Sequence, residues 1–242
     1  MDPMFDLHAV TRQFPNGVVA LQGINLHIDA GDFVVLLGPS GCGKSTLLRL
    51  IAGLDRPDRG RIEWHSTPPT PGEIGFVFQD PTLMPWASAA QNAALPLRLR
   101  GLDPGPANTM LARLGLAGFE NTRPAQLSGG MRMRVSIARA LAARPRLLLM
   151  DEPFAALDEF TRHKLQDELR ALATETCCTT IFVTHSIYEA AFLAKRVILM
   201  SPRPGRVAAE HKFPVPVANR IDPSFADRVR RLTDAALHAS AS

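Results

Sequence analysis

Nine residues restrict what this 242-residue chain can become more than any others: Gly38-Pro39-Ser40-Gly41-Cys42-Gly43-Lys44-Ser45-Thr46. They satisfy G-x-x-x-x-G-K-[ST] and lie between a continuous apolar run, Phe33 to Leu37, and an apolar helical pattern, Thr46 to Ala52. The reading is strand, glycine-rich loop, helix. Glycines let successive backbone N–H groups turn inward on phosphate oxygens, and the start of the helix offers its positive end to the same anion. Lys44 is expected to reach the β- and γ-phosphates of a nucleoside triphosphate, and Ser45 to bind Mg²⁺. A glycine turn that imitates such a loop would need neither the strand before it nor the helix after it. By itself the loop leaves many unrelated nucleotide-hydrolysing families open.

Elements around the loop follow from hydrophobic period. Residues 1–30 alternate apolar and polar types (Phe5, Leu7, Ala9; Ile24, Leu26, Ile28), which predicts antiparallel strands with one solvated face, turned at Asn16-Gly17. Short apolar strands are expected around Arg61 to Trp64 and Ile74 to Phe78, separated by the Pro/Thr-rich stretch Thr67 to Pro71. From Ser88 to Leu141 the period becomes helical, punctuated by Pro96, Gly101, Pro104 and Pro124. Strands then alternate with helices: strand Arg146 to Met150, helix near Glu159 to Glu175, strand Thr180 to Val183, helix Ile187 to Ala194 and a last strand, Arg196 to Met200. Such alternation implies a mostly parallel sheet with ligand chemistry at the carboxyl ends of its strands. The tail after Pro216 has an amphipathic helical spacing, Phe225, Val229, Leu232, Ala236.

The strand Leu147 to Met150 ends in Asp151-Glu152-Pro153. In the context of the phosphate loop, this is where a Walker B strand belongs. Asp151 would hold Mg²⁺, and Glu152 would orient and deprotonate the water that attacks the γ-phosphorus. An isolated acidic pair after a buried strand would otherwise be a solvated turn.

Leu127-Ser128-Gly129-Gly130-Met131-Arg132 opens the helix that continues from Met133 to Leu141. Leu-Ser-Gly-Gly at a helix start resembles the signature motif of the ATP-binding-cassette ATPases, in which Ser128, Gly129 and Gly130 would approach the γ-phosphate bound to a second subunit and Met131 would lie toward its ribose. The resemblance runs from about Phe5 to Phe213, with the motifs in family order. It implies a phosphate-loop NTPase of the α/β class: a mostly parallel core, an N-terminal antiparallel subdomain and an inserted helical subdomain. The cassette would span residues 4–215, the insertion 82–142, and a helical tail 216–242.

The same resemblance gives roles to further residues. Gln79 looks like the glutamine that senses Mg²⁺ and the attacking water and faces the membrane subunits. Ala155-Ala156-Leu157-Asp158 resembles the D-loop, with Asp158 at the dimer interface. His185 resembles the switch histidine on the γ-phosphate, and Phe14 sits where an aromatic ring meets adenine. Two departures are Met131 where Gln is usual and Ala156 where Ser is usual; Met131 cannot make a Gln's polar contact. The segment Asp80-Pro81-Thr82-Leu83-Met84-Pro85-Trp86 suits a permease's coupling helix. Together with the signature and Met200-Ser201-Pro202-Arg203-Pro204-Gly205-Arg206, it resembles the nitrate, sulfonate and taurine branch of bacterial importers. The family implies ATP and Mg²⁺ as ligands, two copies of this chain, two permease subunits and an external solute-binding protein.

Composition narrows the alternatives. No run reaches the length of a membrane helix, so membrane contact would go through another protein, at the cytoplasmic face of the plasma membrane. The acids near the N-terminus are unlike a secretory signal, and Cys42, Cys177 and Cys178 form no disulfide framework, which suits a reducing cytosol. The adjacent pair reads as strand-edge packing. Formal net charge is +4, but only four of the 27 basic residues are lysines and the arginines are scattered, with no basic helix for nucleic acid. A soluble cassette ATPase acting on nucleic acid or ribosomes would bring a coiled coil, a zinc module or a second cassette. A non-hydrolysing regulatory module would lack Glu152 or His185. An ATPase subunit of an importer remains the expectation.

Overall fold

The computed structural model describes residues 2–70, 72–155, 157–213, 215 and 217–240. In chain order the elements are β1 (Pro3–Gln13), β2 (Val19–Asp29), β3 (Phe33–Leu37), α1 (Lys44–Ile51), β4 (Arg59–Trp64), β5 (Ile74–Val77), α2 (Ala89–Ala93), α3 (Leu95–Leu99) and α4 (Gly105–Arg113). There follow α5 (Gly129–Ala142), β6 (Leu147–Asp151), α6 (Glu159–Thr176), β7 (Thr179–Thr184), α7 (Ile187–Leu193), β8 (Arg196–Met200), β9 (Val207–Lys212) and α8 (Pro223–Ser240). These elements divide between two units, Met1–Pro68 with Thr179–Ser242, and Pro69–Cys178.

In the first unit the alternating N-terminal residues form an antiparallel sheet in the order β2-β1-β4. Phe5 faces Ile28 and Trp64 across the ladders, and Leu7 faces Leu26 and Ile62. One face is therefore apolar, while Asp6, His27 and Glu63 share the other, as a period of two requires. The turn falls where Asn-Gly marks it: Gly17 has φ +83° and its N–H donates to the Phe14 carbonyl at 2.9 Å. A second set of strands in this unit runs β7-β3-β8-β9. β7, β3 and β8 are parallel and buried along their whole length, their apolar centres covered on both faces and Arg196 buried against Asp32. The tail helix α8 packs on α7, β8 and β9.

In the second unit β5 and β6 pair in parallel, with Val77 opposite Met150. Helices α2, α3 and α4 pack against α5. Their core includes Leu111, Leu116, Val135 and Ile137, each no more than 1% exposed. The helical stretch expected over 82–142 lies in this unit together with β5, β6 and α6.

Three expectations need correction. Arg196 to Met200 is not the last strand: β9 follows it, antiparallel, with Val197 opposite His211. Its sequence, Val-Ala-Ala-Glu-His-Lys, has too few β-branched or aromatic side chains to announce a strand, and pairing to β8 supplies the order. The strand expected around Arg61 to Trp64 forms, as β4, but it is not apolar: it is an outer strand of the antiparallel sheet on which only Ile62 and Trp64 are partly covered. Cys177 is not strand packing: it ends α6 with φ +50°, whereas Cys178 is buried and its thiol is pushed up to about 12 by that burial. Residue 156 and the boundary residue 216 lie outside the described residues.

Candidate functional site

The first unit holds the phosphate loop. It leaves β3 at Leu37 and enters α1 at Lys44, with Gly41 at φ +77° and Gly43 at φ +104°. A side chain at 43 would also collide, since a Cβ there would lie 2.7 Å from both the Ala20 carbonyl oxygen and Leu21 Cδ2. At Gly38 the nearest obstacle is the Met200 carbonyl oxygen at 2.9 Å. Gly43 is the N-cap of α1 and, having no side chain, offers no acceptor of its own to the N–H groups of the first turn. The Lys44 ammonium is buried and donates to the carbonyls of Gly38 (2.7 Å) and Pro39 (2.9 Å). Ser45 is exposed and Thr46 half-buried. Cys42 is buried, which pushes its thiol up against the opposing pull of Lys44, so it serves as packing.

His185 belongs to the same end of the same sheet. It follows Thr184, whose partner in the ladder is Leu37, so the exposed imidazole leaves β7 where the phosphate loop leaves β3. Phe14 stands at the tip of the β1–β2 hairpin, 36% exposed, with the Arg12 guanidinium 5.6 Å from its ring centre. A half-exposed ring carrying a cation is a surface platform rather than core.

The second unit gathers the acids, the signature and Gln79. Asp151 ends β6 and is 8% exposed; Glu152 follows with φ +45°, a left-handed conformation that costs a non-glycine residue about 1 kcal/mol. Because Val77 is opposite Met150, Gln79 leaves β5 beside Glu152 at the carboxyl ends of two adjacent strands. Ser128 caps α5, its hydroxyl accepting from the Met131 N–H at 3.2 Å. The two signature glycines differ. A Cβ at Gly130 would press on Leu157 Cδ2 at 3.3 Å, but at Gly129 only an Arg132 nitrogen at 4.0 Å comes near. Asp158 caps α6 by accepting from Thr161 N–H at 2.9 Å, and that bond holds its carboxyl below the usual range.

Sequence reasoning missed the residues that brace these segments. Arg203 donates from Nε (3.1 Å) and Nη2 (2.9 Å) to the Gly41 carbonyl, and Gly205 is hydrogen-bonded to Ala20 and Gln22 beside the loop. Asn92, fully buried, takes Met84 N–H on its Oδ1 (2.7 Å) and donates to the carbonyls of Met84, Ala87 and Ser88, fixing the turn that leaves Trp86 73% exposed. Arg139 on α5 donates to the carbonyls of Pro81 and Thr82, both at 2.9 Å, tying the signature helix to the stretch after Gln79. An Asn inside an apolar helical pattern was the one legible hint.

Known proteins resemble this chain along most of its length. A family model described as ABC transporter matches residues 21–155. The aliphatic sulfonates import ATP-binding protein SsuB 2 of Pseudomonas syringae pv. tomato is 46% identical over 206 residues, 85% of either chain. The taurine import ATP-binding protein TauB of Yersinia pestis bv. Antiqua is 49% identical over 197 residues, 79% of this chain and 77% of that one. Among solved structures, the ATP-binding cassette MJ0796, a dimer in a post-hydrolysis state bound to ADP and Pi, superposes with a TM-score of 0.76 at 37% identity. That match covers 86% of this chain and 98% of the other.

Proposed function

This chain belongs to the ABC transporter family, and from that premise we propose that it is the ATP-hydrolysing subunit of an importer whose cargo is of the sulfonate or taurine type. It works as two copies at the cytoplasmic face of the inner membrane, beneath separate permease subunits served by a solute-binding protein. Among the described residues no helix is long and apolar enough to cross a membrane. The relatives' names supply the cargo class, and the dimeric cassette supports the pairing. No observation favours an ATPase acting on nucleic acid or ribosomes.

One observation carries the reading: this chain has a helix-capped glycine loop with a buried ammonium and, on a different helix start, a Ser-Gly-Gly whose Gly129 borders open space. A glycine at a 14-residue helix start, approached among the described residues only by an Arg132 nitrogen at 4.0 Å, leaves room for an anion brought by a second copy. In the proposed site the amides of Gly38 to Thr46 and the Lys44 ammonium hold the β- and γ-phosphates, and Phe14 stacks on adenine. Ser128 to Gly130 of the partner copy close over the γ-phosphate. Met131 adds no polar contact, so ribose is held less firmly than a Gln would hold it. Asp158, engaged as a helix cap here, also faces the partner.

Ser45, Gln79 and Asp151 offer a hydroxyl, a carboxamide and a carboxylate oxygen, the donor set a hard cation such as Mg²⁺ selects. When bound, Mg²⁺ neutralises charge on the phosphate oxygens. Glu152 takes the proton of the attacking water as its oxygen bonds to the γ-phosphorus, the β–γ bridging bond breaks, and ADP and phosphate leave. His185 donates to the γ-phosphate. The test is Glu152→Gln in the purified chain, read as ATP binding and phosphate release. Binding should persist while release falls at least about 100-fold; unaltered release removes Glu152 from the mechanism.

A further inference from the structure

Asp6 of β1, His27 of β2 and His65, the residue that follows β4, meet on the solvated face of the antiparallel sheet in the first unit. Asp6 lies opposite His27 in one ladder and opposite Glu63 in the other, and the period of two sends residue 65 to the same face as residue 63. The two imidazoles converge on one carboxylate. His27 Nδ1 lies 2.6 Å from Asp6 Oδ1, and His65 Nε2 lies 2.5 Å from Asp6 Oδ2. One ligand atom from each of the three residues lies within 4.8 Å of the other two.

Two observations distinguish this cluster from a surface ion pair. An ion pair needs one imidazole for one carboxylate, whereas here two rings share Asp6, and protonating both would set two cations on a single negative charge. A dication in place of those protons satisfies both ring nitrogens and the carboxylate at once. The second observation is the outer partner of His27: its Nε2 lies 3.0 Å from Asp29 Oδ1. A histidine that binds a metal through one nitrogen characteristically donates the other N–H to a carboxylate, which fixes the tautomer and makes the ligating nitrogen more basic. The nearby His8 is engaged by Glu63 at 3.2 Å and stays apart from the cluster. The side chains of Asp6, His65 and His27 are 21%, 32% and 49% exposed, so an ion reaches them from solution.

We propose that Asp6, His27 and His65 form a site for a divalent transition-metal ion of the Zn²⁺ class, with water completing its coordination, and that the ion clips β1, β2 and β4 together. Two imidazole nitrogens and a carboxylate oxygen suit Zn²⁺, while Mg²⁺ selects oxygen alone. The protons held between Asp6 and the rings pass to the buffer as the ion enters. No residue of the phosphate loop takes part.

The test uses the full purified chain, stripped with a chelator and kept in phosphate-free buffer without nucleotide. Calorimetric titration with Zn²⁺ should give one ion per chain with a Kd on the order of 10 µM, weaker than a four-ligand structural site. Mg²⁺ should not saturate the site. At about ten times Kd, Zn²⁺ should raise Tm by about 3–6 °C. His27→Gln and His65→Gln are surface changes whose folding is checked by metal-free melting curves. Each should weaken Zn²⁺ at least about 30-fold and remove the rise in Tm, and Asp29→Asn, which takes away only the outer partner, should weaken Zn²⁺ about tenfold. Cys177→Ser should bind as the parent does, although that exposed thiol is the rival zinc ligand. No saturation below about 1 mM, equal binding of Mg²⁺, parent-like affinity in either histidine variant, or loss of binding in Cys177→Ser overturns the site. Zn²⁺ binding without a rise in Tm overturns the clip.

Discussion

Replacing Gly205 by Ala tests the physical link between the β8–β9 connection and the phosphate loop. The new Cβ would lie 2.0 Å from the Cys42 carbonyl oxygen and 3.2 Å from that of Ala20. A carbon and a carbonyl oxygen settle at about 3.3 Å or more, so the two backbones must part by about 1.3 Å. Neither can move freely. Gly205 N–H donates to Ala20 at 3.0 Å and its carbonyl accepts from Gln22 at 2.9 Å, so retreat breaks two backbone hydrogen bonds. Overpacking of this kind costs about 1–3 kcal/mol and the two bonds about 1 kcal/mol each, for roughly 3–5 kcal/mol in all. In a domain of this size that lowers Tm by roughly 6–20 °C. Because the displaced group is the carbonyl of Cys42, inside the loop, ATP affinity should fall as well. Thermal melts and titration of a fluorescent ATP analogue read both effects. A variant melting within about 1 °C of the parent, with unchanged affinity, refutes the claim that this contact shapes the loop.

Other perturbations have equally definite outcomes. Lys44→Ala should weaken ATP about 100-fold by removing charge-assisted bonds to two phosphates, checked by the same titration; parent-like affinity would exclude the assigned role. Asp32→Ala should lower stability by about 1–3 kcal/mol in a urea melt, because it removes the buried carboxylate 2.6 Å from the Arg196 guanidinium, 8% exposed, and leaves that cation to Glu210 and the His27 carbonyl. A loss below about 1 kcal/mol would mean that water reaches Arg196. For pH, His27 is raised by its bonds to Asp6 and Asp29, so its contribution is complete below about pH 6.5 and disappears as pH climbs past the raised value. Asp6 is lowered, first by its bond to His65, and keeps its contribution until the solution is far more acid. The Tm deficit of His27→Gln should therefore be larger near about pH 5.5 than near about pH 9, and small because the side chain is half exposed; a gap that widens with pH would reverse the assignment.

Much of the architecture could be read from local pattern. Phe33 to Leu37, Leu147 to Met150 and Val197 to Met200 became buried strands because an unbroken apolar run has to be covered on both faces. The Asn16-Gly17 turn, the Ser128 and Asp158 caps and α8 declare themselves through short-range chemistry of their own residues. β9 was not legible, because its six residues lack strand composition and are ordered by the ladder to β8. β4 was read as apolar because Ile62 and Trp64 dominate a short window, although Arg59, Arg61 and Glu63 mark an outer strand.

The chain's order of residues alone determined that a phosphate loop lies between a strand and a helix, that two acids end a second strand, and that a Ser-Gly-Gly opens a helix. Each rests on spacing within a few residues, where covalent geometry fixes what backbone amides and side chains can reach. Tertiary structure decided which segments brace them: Arg203 and Gly205 beside the loop, and Asn92 and Arg139 on the stretch after Gln79. Those contacts join residues as distant in the chain as Ala20 and Gly205. They depend on strand order and packing, which no local period encodes.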